Sequence, residues 1–114
     1  MLDKFTIGPN GSVRHHGHQR GPMVLTHYSH RGRLMAIREA GHKYWSSIGH
    51  QDYEPAAWRL YRVESVQAGR DGPIITAEWA GFDIYAAGSP SSRQHDTRRA
   101  LEALDRVIGE EAGQ

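Results

Sequence analysis

Apolar residues recur with two different periods along this chain, and the switch between them sets the expected fold. Up to residue 85 the pattern is short-range. Leu2, Phe5 and Ile7 nearly alternate with polar residues over Leu2–Ile7, and Gly8-Pro9-Asn10-Gly11 follows as a strong turn signal. Residues 13–20 are polar and broken by Gly17, which predicts a loop or an exposed edge strand. Met23–Tyr28 reads as a strand behind Pro22. Residues 33–38 and 43–48 read as the arms of a hairpin turning around Glu39-Ala40-Gly41-His42, with 49–55 a loop. The longest strand candidates are 58–68 and Ile74–Tyr85, the second with a break at Gly81, because glycine inside a strand marks a bulge.

The period changes near the C-terminus. Ala100, Leu101, Leu104, Val107 and Ile108 fall on one stripe of a helix, and Arg98, Arg99, Glu102, Asp105 and Arg106 fall mostly opposite. Ser89 or Ser91 is the expected N-cap, with Pro90 in the first turn or Gln94 completing a capping box. Gly109 is the expected stop, with 110–114 frayed beyond it. One amphipathic stripe needs one apolar sheet face to receive it. The expected architecture is therefore α+β: a single domain over residues 1–114, an antiparallel β-meander of five or six strands with the C-terminal helix packed on one face.

Composition adds limits. Leu, Ile, Val and Phe contribute only 20 of the 114 residues, but ten aromatics and a net charge of +1 argue for a folded chain with a small core. A small core makes a homodimer an attractive way to bury more apolar surface. The absence of cysteine removes disulfides, thiolate metal sites and cysteine nucleophiles. No stretch approaches the apolar length of a membrane span, and residues 1–7 carry an acid where a secretory signal would be apolar, so a cytoplasmic protein is expected.

Charge is unevenly divided. Residues 1–50 hold seven Lys and Arg against Asp3 and Glu39, a net of +5, together with seven of the eight histidines. Residues 51–114 hold seven Arg against eleven acids, a net of −4. The basic half concentrates its groups in one segment: Arg14, His15, His16, His18 and Arg20, then His27, His30, Arg31 and Arg33. Arginine forks suit phosphate or carboxylate, and histidines add donors when protonated, so these nine residues form a candidate anion-binding set. Any such binding is expected to strengthen on acidification.

Other chemistry is less well specified. A metal site needs three or four convergent ligands; His16 and His18 share a strand face, but Gln19-Arg20-Gly21-Pro22 follows with no acid, and the arginines would repel a cation. A His-cluster metal protein is thus a reserve alternative. A phosphodiesterase or nuclease would use His27 or His30 as acid/base with Arg31 or Arg33 stabilising charge. Neither that spacing nor any Walker, hydrolase or kinase signature picks out catalysis, and no cofactor motif occurs.

Five aromatics crowd into residues 44–61. Most of them should build a leucine-poor core. Tyr44 and Trp45 are adjacent and must face opposite sides of a strand, which makes them the candidate aromatic contacts for a base or a protein surface. A four-residue loop at 70–73 would pair Val66 with Ala77 and Glu64 with Trp79, setting Glu64 and Glu78 on opposite faces and arguing against a carboxylate dyad. The expected function is a small non-catalytic binding or accessory module, of the kind mobile elements carry. Its basic His/Arg segment would meet an anionic partner, either nucleic acid or an acidic protein surface.

Overall fold

In a computed structural model, described for residues 1–17, 21–28, 33–85 and 93–112 with helix side chains at 98–99 and 101–110, eight strands precede one helix. The strands are β1 (Leu2–Ile7), β2 (Ser12–His15), β3 (Met23–Tyr28), β4 (Leu34–Glu39), β5 (His42–Trp45), β6 (Gln51–Glu54), β7 (Ala57–Gln67) and β8 (Ile74–Tyr85), and α1 is Arg93–Ala112. The meander is present, all antiparallel, and it goes one step further than expected. β8 pairs with β1, so β1-β2-β3-β4-β7-β8 close into a six-stranded barrel. Closure removes the two unpaired edges that an open sheet would leave.

Alternation along the strands divides the apolar residues between two cores. Phe5, Val13, Met23, Met35, Ile37, Tyr61, Ile75 and Ala77 fill the barrel. Leu34, Ala36, Trp58 and Leu60 face outward and are covered by Leu101, Leu104, Val107 and Ile108 of α1. The stripe read from the helix period is thus the face that packs. Strand β4 lies between the two cores, which is why Leu34 to Ile37 read as an unbroken apolar run. The helix does not stop at Gly109 but continues to Ala112. Gly109 is exposed with open space around its Cα, so no packing forces a C-cap there. The proposed caps at Ser89, Pro90 and Ser91 lie outside the described residues, as does the Gln94 side chain.

Three local expectations are corrected. Strand β4 does not form a hairpin with the segment after it. It pairs with β3 and β7, while β5 pairs with β6 in a separate two-stranded sheet. Burial on both faces makes β4 a central strand needing long partners, whereas β5 has only polar and exposed aromatic residues to offer. The expected loop at 49–55 contains β6, turned back by Ser46–Gly49 with Gly49 at φ 81. Of the segment expected as a loop or edge strand, residues 13–15 belong to β2, a full barrel member rather than an edge, and 18–20 lie outside the described residues.

The β7–β8 register also differs. Val66 faces Ile75 because the ladder ends with Gln67 opposite Ile74, leaving 68–73 as the turn, and the bulge at Glu64 then sets Val63 opposite Ala77. Glu78 faces Arg62. The second irregularity falls where glycine marked it: Leu60 pairs with Phe82 and Tyr61 with Trp79, leaving Ala80 and Gly81 as extra residues, with Gly81 at φ 78. No described helix is long and apolar enough to cross a membrane.

Candidate anion-binding face

Three described histidines of the basic half, His15, His16 and His27, are separated by the fold and contribute contacts that hold it. On β2, His15 points toward the barrel interior at its end. Its Nδ1 accepts from the Gly17 N–H at 3.0 Å, which places the ring proton on Nε2, facing Asp3 Oδ1 at 3.0 Å. Its ring packs edge-on against Phe5, which packs edge-on against Tyr61. His16 points the other way and hydrogen-bonds the Thr6 hydroxyl. His27 follows a bulge at Thr26 that turns it outward toward α1. Its Nε2 lies 2.9 Å from Asp105 Oδ1, and its Nδ1 3.1 Å from Thr26 Oγ1, whose own proton goes to the Ala36 carbonyl. Both ring nitrogens therefore face acceptors, and His27 clips the helix to the barrel.

His15, His16 and His27 thus serve three separate places rather than one pocket. Among the described residues, no group of three His, Asp or Glu side chains is arranged to hold a metal ion. His18, Arg20, His30 and Arg31 lie outside the described residues.

What the register brings together is smaller and basic. His16 N–H donates to the Lys4 carbonyl, and Arg14 pairs with the buried Thr6, so Lys4, Arg14 and His16 form one block on the outer surface of β1 and β2. Helix α1 covers the outside of β4, β7 and β8, leaving this block open. Lys4, Arg14 and His16 are exposed, and Lys4 and Arg14 make no ion pair among the described residues. The flanking outward positions are Thr76 and Ile74 on β8, with Ser12 and Val24 on β2 and β3. Charge of the opposite sign begins only at Glu78, beside Leu2 and 3.8 Å from the N-terminal amine. Arg33 is exposed at the start of β4, and Arg38 is drawn over the Trp58 ring at 5.4 Å.

The aromatics divide. Trp58 and Tyr61 are core residues, but Tyr44, Trp45 and Tyr53 stay exposed on the β5–β6 hairpin, so fewer of the five enter the core than their density implied. Register sets Lys43 opposite Tyr53 and Trp45 opposite Gln51 on one face. His42 with Glu54, and Tyr44 with Asp52, occupy the other. As expected from adjacency, Tyr44 and Trp45 point to opposite sides. Both are exposed because the hairpin stands apart from the barrel sheet.

A charged cluster that sequence reasoning missed closes the barrel end beneath this hairpin. Arg59 reaches Glu39 Oε1 at 3.5 Å, Glu54 Oε1 at 3.6 Å and Asp83 Oδ2 at 3.6 Å, and it also hydrogen-bonds Tyr85. Burial is the largest single influence on Arg59 and opposes its charge. Glu39, Tyr85 and Asp83 together outweigh it and raise the pKa above the usual guanidinium value. Asp83 also accepts from the Trp79 indole N–H at 2.8 Å. Burial, then the field of Asp3, pushes the Tyr61 hydroxyl up to about 12. The His42 ring nitrogens are buried, with Nε2 3.3 Å from Glu54 Oε2 but outside hydrogen-bond geometry. The only signal for this cluster was arginine and acids at inward positions of long strands, which becomes visible once the register is known. With three carboxylates on one guanidinium, the arrangement is a structural plug rather than an acid/base centre.

Comparison with family models, curated proteins and solved structures returns no match for this chain, so the open basic block and the exposed hairpin are the features on which a functional reading rests.

Proposed function

We propose that this protein is a small non-catalytic binding module whose outer β1–β2 face takes an extended anionic partner. One observation carries this: the β1–β2 register gathers Lys4, Arg14 and His16 into a block with no acid at the flanking strand positions. Barrel cores do not need such a block, because its side chains point away from both apolar clusters. Relative to the original nine-residue set, Arg14 and His16 carry the reading, Lys4 joins them, and His15 and His27 belong to the scaffold.

The test is a titration of the full chain with a fluorescent polyanion at low and moderate salt. Binding should weaken as salt rises. The pair Lys4→Ala with Arg14→Ala should reduce affinity and flatten the plot of log K against log salt by roughly 1.4 for a single-stranded probe, the loss of two phosphate contacts. No affinity for any polyanion at low salt would overturn the proposal. So would unchanged binding by the double variant, provided its thermal unfolding matches the parent.

A further inference from the structure

Strands β5 and β6 leave and rejoin the barrel at the end where β4 finishes and β7 begins. In an up-and-down barrel β2 runs in the same sense as β4, so β2 also finishes at that end and β1 begins there. By strand direction the hairpin and the Lys4–His16 part of the basic block belong to the same end of the barrel, on opposite sides of its mouth, with one strand between them on either side.

The hairpin is built to present its side chains rather than to bury them. Its turn is closed by Gly49 N–H to the Ser46 carbonyl at 3.0 Å and by Ser46 N–H to the His50 carbonyl at 2.8 Å, with Gly49 in the left-handed region. Such a turn fixes the direction of the flanking strands. One face then carries Lys43, Trp45, Tyr53 and Gln51. Trp45 is 73% exposed and Tyr53 49% exposed, and Tyr53 is seated above Gly41, where even a Cβ would strike its hydroxyl. Both acids of the hairpin, Asp52 and Glu54, lie on the opposite face.

Planar rings interleaved with a cation, without carboxylates, complement an unpaired base followed by a phosphate. An apolar protein surface fits less well. Two rings flanked by Lys43 and Gln51 make this face more polar than the core of a stable protein interface. We infer that the Lys43–Trp45–Tyr53 face of the β5–β6 hairpin stacks the bases of a single-stranded nucleic acid. The proposal rests on the anionic-partner reading above and deepens it: the basic block would hold phosphates of the same strand.

The experiment uses the full chain with two fluorescein-labelled probes, an oligothymidylate of about 12 nucleotides and polyglutamate. Trp45→Ala and Tyr53→Ala should each lower oligothymidylate affinity by roughly 5- to 150-fold, the range that loss of one stacked base implies. Trp45→Phe should recover most of it, and unlabelled oligothymidylate should quench the emission of Trp45. These substitutions lie on an exposed face, so unfolding midpoints should match the parent. Unchanged oligothymidylate affinity in Trp45→Ala and Tyr53→Ala would overturn the stacking inference. If Lys4→Ala with Arg14→Ala still weakens binding in that case, the anionic-partner reading survives alone. Tight binding of polyglutamate without oligothymidylate would overturn it in favour of an acidic protein partner, and failure of both probes would remove both proposals.

Discussion

At the scale of single residues, the most consequential charge is one that sequence clustering passed over. Arg59 stands alone among apolar residues in the chain, and its partners are twenty residues behind it, five behind it and twenty-four ahead. Only the pairing of Arg59 with Asp83 and of Ala57 with Glu39 brings them together. Removing the guanidinium leaves three carboxylates facing one another, so Arg59→Met should destabilise the fold. Its side chain is 26% exposed, which keeps the expected loss at about 2 kcal/mol, below that of a fully buried pair. Urea unfolding checks this, and a variant as stable as the parent would mean the three links behave as ordinary surface pairs. Tyr61 supplies a pH signature. Its hydroxyl is raised in the folded state from 10.0 to about 12, so folding favours the neutral phenol. That contribution is complete below pH 10 and is lost as pH climbs through about 12. Stability of the parent should therefore fall across this alkaline window, and Tyr61→Phe should fall less. Equal losses in both would assign the decline to other groups.

Among the elements, period was a better guide than proximity. The helix stripe and the bulge at Gly81 could be read directly, because each follows from a local rule: apolar spacing in one case, backbone freedom in the other. The pairing of β4 could not. Residues 33–38 and 43–48 look like neighbours because a glycine-containing turn separates them. A strand buried on both faces nevertheless takes the long partners β3 and β7, and the turn instead launches a separate hairpin. Histidine clustering misled for a related reason: alternation sends His15 and His16 to opposite faces, and a bulge sends His27 to the helix. The helix is held mainly by its apolar stripe. Leu104 is completely buried against the outer core, so Leu104→Ala should cost about 2–5 kcal/mol and reduce helical circular dichroism. Asp105→Ala should cost under about 1 kcal/mol, because the carboxylate is 71% exposed even though it meets His27. A larger penalty for Asp105→Ala than for Leu104→Ala would make the His27 clip, rather than packing, the main attachment of α1.

For the whole molecule, the described side-chain charge contacts that join the basic half to the acidic half use histidines and Arg59 rather than Lys4, Arg14 or Lys43. Asp105 meets His27, Glu54 meets His42, and Glu39 of the basic half serves Arg59 of the acidic half. The β4–β7 pairing, the β5–β6 hairpin and the packing of α1 on the outer core make these cross-half contacts. The excess of +5 in residues 1–50 counts cations spread over several strands, so it overstates what one partner would feel. A better measure is the set of described, exposed cations on the proposed binding surface, Lys4, Arg14 and Lys43. Counterion release distinguishes the two descriptions. Three phosphate contacts on a single strand give a slope of log K against log salt of about −2, whereas five would give about −3.5. The expected slope for oligothymidylate is the shallower one, and Lys43→Ala should reduce it further by roughly 0.7. A slope near the steeper value would show that cations beyond these three engage the strand, and the bound surface would then have to extend past the β1–β2 block and the hairpin.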